Sequence, residues 1–207
     1  RVDSGSTSFT GDYQLDFALH EFDDYLTLSG VDVIQADTDL SGAGYAIAVI
    51  DTGINYNHPD LAGRVILGPD FGDNDNDPMD TIGHGTHIAG LLVSGNEHVP
   101  GVAPDADVIA LKITPDGSTS SSITNIASAL QWVIDHQAQY NIASVNLSFG
   151  AGNVAKGTVL TEVESLYNTL ENMGVFIAVS AGNSYFNYDS TEGLNLLAAS
   201  NSVAAVG

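Results

Sequence analysis

A chain of 207 residues with 26 acidic side chains against four lysines and arginines carries a formal charge of −22, which argues against nucleic acid and anionic membrane surfaces as partners. The length holds one α/β domain with a sizeable core, and 43% apolar content is that of a globular chain. Without cysteine, disulfides, thiol nucleophiles and thiolate metal sites are excluded.

Residues 1–30 are acidic and polar and read as an N-terminal extension or the remnant of a pro-region. Within it Leu15, Phe17, Leu19, Phe22 and Leu26 recur at loosely helical spacing, which fits either a docked surface helix or a pair of strands. The chain opens on Arg1, consistent with removal of an upstream signal or pro-segment. From Val31 the pattern changes. Residues 46–50, AIAVI, form a short apolar run that stops at Asp51-Thr52-Gly53, as a buried strand does when it feeds a turn. Further strands are expected at 107–113, 142–149, 175–183 and 202–207, and amphipathic helices at 122–139 and 159–173. Strands alternating with helices predict an α/β domain over 31–207, with a mainly parallel sheet. In such sheets sites gather at the carboxyl ends of the strands, where Asp51, Ser148 and Asn183 all fall.

Residues 83–90 read GHGTHIAG. A zinc clamp of the H-E-x-x-H kind needs histidines four apart with a glutamate between them, and here they are three apart without one. His87, followed by an apolar helical run, reads as a core histidine. His84, between two glycines at the helix start, faces a cleft. There the helix dipole disfavours its charged form, and a nearby carboxylate would restore basicity and fix the tautomer. Asp51 can be that carboxylate.

Together, VIDTGINYNHPDL (49–61), GHGTHIAG (83–90), NLSFG (146–150) and VSAGN (179–183) resemble the motifs of the subtilisin-like serine proteases, in that family's order. The resemblance implies a three-layer α/β fold with helices on both faces of the sheet. It implies that Asp51 orients the imidazole, that His84 is the general base, and that Asn183 is an oxyanion-hole amide. Ser148, Phe149 and Gly150 resemble the wall of the primary specificity pocket, which Phe149 would make apolar. Asp116, Gly117 and Ser118 resemble the opposite edge, where an extended peptide adds as a strand. The family's nucleophile sits in a Gly-Thr-Ser-Met-Ala-type motif that opens a central buried helix some dozens of residues after the asparagine, and residues 184–207 contain none. The expectation is therefore a second chain, produced by nicking after Gly207, that brings the serine and its helix and covers a sheet face otherwise left apolar and open.

The loop PDFGDNDNDPMDTIG (69–83) places Asp70, Asp73, Asp75, Asp77 and Asp80 within eleven residues. Clustered carboxylates suit Ca²⁺, although the spacing is not that of an EF-hand. By resemblance to calcium-stabilised members of the family, Asp70, Asp73, Asp75 and Asp77 would be ligands. Asp60 resembles a ligand of another family site whose partner loop, here SGNEHVPG (94–101), is short. The leading expectation is a secreted, calcium-stabilised serine endopeptidase acting on extended polypeptides. The alternatives are a non-catalytic relative that binds peptides or a partner, and a calcium-binding structural domain.

Overall fold

The computed structural model describes residues 24–38, 40–183 and 185–207. Two short helices come first, α1 (Asp24–Ser29) and α2 (Val31–Thr38). The reading of 13–26 thus lies outside the described residues except at its end, which is helical. The strands β1 (Ala46–Asp51), β2 (Val65–Asp70), β5 (Asp107–Lys112), β6 (Ile142–Leu147), β7 (Phe176–Ser180) and β8 (Ala204–Val206) form one sheet in the order β2-β5-β1-β6-β7-β8. Every pairing in it is parallel, as the alternation of strands and helices predicts. A small hairpin of β3 (Gly95–Asn96) and β4 (Val99–Pro100) stands apart.

The period-2 alternation of the strands divides the core in two. Ala48 and Ile50 of β1, Ile109 and Leu111 of β5, Val145 and Leu147 of β6, and Ile177 and Val179 of β7 share one cluster. That cluster takes in the apolar faces of α4 (Ile123–Tyr140) and α5 (Thr161–Asn172), including Leu130, Val133, Tyr167 and Leu170. Val49, Val108 and Ala110 point the other way, against Ala89 and Val93 of α3 (His84–Val93). Ser122 caps α4 by accepting the Asn125 amide at 3.1 Å, which explains why the helix starts where the apolar period begins.

The layer around α3 is incomplete among the described residues. Over β6, β7 and β8 that face holds a hollow of about 230 Å³ lined by Asn146, Ser148, Ala178, Ser180 and Val206. Phe176 and Val206 are its exposed large apolar groups, at 60% and 56%, and the floor between them mixes Asn146, Ser148 and Ser180 with Ala178 and Val179 and is mainly apolar in surface. Small side chains let a packed helix approach closely.

One cation stitches the far end of the sheet. The Lys156 ammonium donates to the carbonyls of Ser200 at 2.5 Å, Val203 at 3.3 Å and Ala198 at 3.5 Å, joining the loop after β6 to the turn that enters β8. Lys156→Met should cost about 1 kcal/mol and lower the melting temperature by a few degrees. An unchanged thermal unfolding curve would show that the contacts are not a clamp.

Candidate active site

The strand ends and the start of α3 meet at one point. Asp51, the last residue of β1, is fully buried, and its Oδ1 lies 2.7 Å from His84 Nδ1. The same oxygen accepts the Thr52 amide at 2.7 Å, while Oδ2 is buried without a partner among the described residues. Burial pushes the Asp51 carboxyl above its ordinary range, against the lowering effect of the His84 and Thr52 hydrogen bonds. With Nδ1 committed to the carboxylate, Nε2 is the nitrogen left to exchange protons with a group in the cleft. His84, whose side chain is 46% exposed, lines a small cavity with Thr52, Thr119, Ser148, Phe149 and Gly150.

The glycines of the histidine motif have separate physical reasons. A Cβ on Gly85 would stand 2.1 Å from the Gly53 carbonyl oxygen and 3.2 Å from Asp51 Oδ1, so only glycine lets α3 come this close to β1. Gly83, at φ +100°, turns the chain into the helix through a left-handed conformation.

Of the residues expected to bind substrate, Ser148, Phe149 and Gly150 form one wall of the cavity, and Thr119, next to Ser118, forms another. Between these walls opens a deeper pocket of about 430 Å³, whose apolar lining includes Ile123, Ile126, Phe149, Leu160, Leu196 and Leu197. Gly117 is held by its amide on Thr81 Oγ1 at 2.9 Å, and it adopts φ +68°. Asn183 is exposed just beyond β7 and is not among the cavity's lining residues. Ser148 Oγ pairs with the Asn146 side chain at 3.0 Å, and no described serine hydrogen-bonds to His84.

One expectation is corrected. His87 is exposed, not a core histidine; it lines an open cavity of about 650 Å³ on the outer side of α3, together with His58, Asp60, Leu61 and Leu91. The buried face of α3 is instead Gly85, Ala89 and Val93, one residue off the pair that the motif emphasises. In the acidic loop, Asp70, Asp73, Asp75 and Asp77 form no preassembled group of three acidic or histidine side chains that could hold a metal ion among the described residues. The cation at the loop's centre is the Lys112 ammonium, 2.7 Å from Asp70, 3.3 Å from Asp73 and 2.6 Å from Asp116. Asp75 and Asp77 are spent on backbone amides two residues ahead, those of Asp77 at 2.8 Å and Met79 at 3.2 Å. Calcium held by this set would need Asp70 and Asp73 to leave Lys112.

Three structural residues are not legible as such in the motifs. Lys112 links the acidic loop to the 116–118 edge. Asp80 accepts five hydrogen bonds around the base of α3. Asn195 is buried and donates to the carbonyls of Ser180 and Phe149, tying the cavity wall to the end of β7. It also accepts the Leu197 and Ala198 amides, and it fills the space where a Cβ on Gly150 would stand. Each has at least one partner distant in sequence, Asp70 for Lys112, Thr52 for Asp80 and Phe149 for Asn195, and no local pattern marks that contact.

The parallel α/β sheet presents a hydrogen-bonded Asp–His couple at its strand ends beside an open cavity, the place where sites gather in such folds. The model of the subtilase family matches residues 42–207, and the chain belongs to that family. It is 37% identical to a thermophilic serine proteinase of Bacillus sp. (strain AK1) over 150 residues, 71% of this chain and 35% of that protein. It is 35% identical to thermitase of Thermoactinomyces vulgaris over 152 residues, 72% of this chain and 51% of the relative. Among solved structures, sphericase superposes with a TM-score of 0.62 at 34% identity, covering 75% of this chain and 52% of that one. The chain thus spans about half the length, or less, of the relatives it matches.

Proposed function

We propose that this chain supplies the Asp51–His84 couple of a serine endopeptidase whose nucleophilic serine lies in a complementing segment outside residues 1–207. The observation that supports it is the 2.7 Å Asp51–His84 hydrogen bond, with Nε2 left for the cleft. In this reading an extended peptide lies between the 117–119 and 148–150 edges and pairs with their backbone as an added strand. The 430 Å³ apolar pocket takes a non-polar side chain of that peptide. The complement's serine attacks the scissile carbonyl and passes its proton to His84 Nε2, and His84 returns it to the leaving amine. Asp51 holds the ring in the required tautomer and stabilises the imidazolium. Asn183, carried on the flank of β7, donates to the oxyanion, a contribution worth about 10²–10³ in rate.

The complement also has a place to sit. The hollow over β6–β8 on the α3 side is the face that a helix bearing the serine would cover, within reach of His84 and the 148–150 wall. The high negative charge fits secretion into a saline medium, where salt screens the repulsion.

A fluorophosphonate probe tests the reading on the protein as purified with its complement. The label is expected on a serine of the complementing segment, outside residues 1–207, and it should be lost in His84→Ala. A folded assembly that takes no label would favour a subtilase relative that binds peptides without cleaving them.

A further inference from the structure

The geometry points to Asp80 as the positioning residue of the Asp51–His84 couple. The inference rests on the peptidase reading only for its effect on rate.

Asp80 Oδ1 accepts the Thr52 hydroxyl at 3.0 Å and the amides of Ile82 at 2.9 Å and Gly83 at 2.8 Å. Its Oδ2 accepts the Thr86 amide at 2.9 Å and the Thr86 hydroxyl at 2.6 Å. These partners bracket the couple from both sides. Thr52 follows Asp51, and its amide donates to the very oxygen that holds His84. The Thr52 hydroxyl in turn accepts the Gly85 amide at 3.0 Å. Gly83 and Gly85 flank His84. One carboxylate therefore anchors the residue after Asp51, the residue before His84 and, through Thr52, the residue after it. Thr86 extends the anchor, because its hydroxyl also accepts the Asn55 amide at 2.9 Å.

The two members of the couple are 33 residues apart, on different elements, and the short contact between them depends on the junction of those elements. Asp80 is the common point of that junction. It carries an electrostatic consequence as well. The first amides of α3 would otherwise oppose a positive charge on His84, the charge that forms as the imidazole takes a proton. Here the Gly83 and Thr86 amides end on a carboxylate. That carboxylate stays ionised: burial raises its pKa, but the Thr86 side chain and the amides of Gly83, Thr86 and Ile82 together bring it below the ordinary range.

The test measures two things on the protein purified with its complement. One is the low-field NMR resonance of the proton shared by Asp51 and His84; the other is kcat and KM for a peptide substrate. In Asp80→Ala the resonance should broaden or vanish, and kcat should fall about 10²-fold, as expected when a reacting group is misplaced by about an ångström. KM should change less than kcat, because Asp80 makes no contact with the 148–150 edge and reaches Gly117 only through its neighbour Thr81. Asp80→Asn keeps one acceptor oxygen and should fall between. Thr52→Val removes only the hydroxyl that links the carboxylate to Gly85; it should move both readouts in the same direction and serves if Asp80→Ala does not fold. A folded Asp80→Ala or Thr52→Val with the wild-type resonance and the wild-type kcat overturns the inference. If the wild type hydrolyses nothing but its resonance is present and is lost in Asp80→Ala, the positioning role stands and the peptidase reading falls.

Discussion

On the proposed peptidase reading, Asp51→Asn should lower activity by about 10⁴-fold while leaving the fold intact. The neutral amide can still accept from the Thr52 amide and fill the same volume, but it no longer fixes the tautomer of His84 or balances an imidazolium 2.7 Å away. The pH dependence follows from burial. Because burial raises the Asp51 carboxyl above its ordinary range, the charged couple is lost, as pH falls, earlier than an ordinary aspartate would lose it. The sign for stability is opposite to that for activity. Between the unfolded and the raised folded pKa the folded state binds the extra proton, so Asp51 favours folding when protonated and opposes it once pH rises above that window. At neutral pH the substitution should therefore leave the melting temperature unchanged or higher. Steady-state kinetics and a thermal melt at the same pH check both parts. Full activity in Asp51→Asn would dismiss the couple as the catalytic dyad.

Lys112→Met destabilises the protein by about 3–5 kcal/mol, the range for removing one partner of a buried ion pair. The side chain of Lys112 is 2% exposed and that of Asp70 is fully buried, so the substitution strands a carboxylate in the core. Burial pulls the ammonium pKa down, but hydrogen bonds to Asp116 and Asp70 and the Asp70 charge outweigh it and hold it above the ordinary lysine value. A raised lysine contributes its stability in full below the ordinary lysine range and loses it only on the alkaline side, so the deficit should be constant across neutral pH. The cleft should loosen too. Asp73 accepts the Asp116 amide at 2.8 Å and Thr81 holds Gly117, so the 116–118 edge hangs on this loop. Denaturant unfolding with and without CaCl₂ is the measurement. With Lys112 gone, the freed carboxylates form a hard-oxygen set, and calcium should restore part of the lost stability. A loss under about 1 kcal/mol would mean that Asp70 finds another partner or is protonated.

Much of this was open to reading in one dimension. Alternating apolar runs placed β1, β5, β6 and β7 to within a few residues, because a strand buried on both faces must be apolar along its length. The 3.6-residue period placed α4 and α5. Asp51 and His84 could be singled out because chemistry fixes both the residue type and its place at a strand or helix end. The edge strand β2 could not. Gly68 and Pro69 mark its sequence as a turn, yet Gly68 is required there because a Cβ would lie 2.6 Å from the Ala110 carbonyl oxygen of the neighbouring strand.

What the amino-acid order determined by itself was local: the period of each element, the residues that end the strands, and the kinds of side chain that could perform acid–base chemistry. What only the tertiary structure decided was pairing. A row of aspartates becomes a lysine-centred network because β5 points residue 112 inward to Asp70, 42 residues back. His87 lies inside or outside depending on which stripe of α3 meets the sheet, and Gly85, Ala89 and Val93 took that stripe. Asp80, one acid among five, became the anchor of the site because folding brought Thr52 to it across 28 residues. Electrostatic and hydrogen-bond energies depend on distance in space, and distance in space is what a linear pattern does not contain.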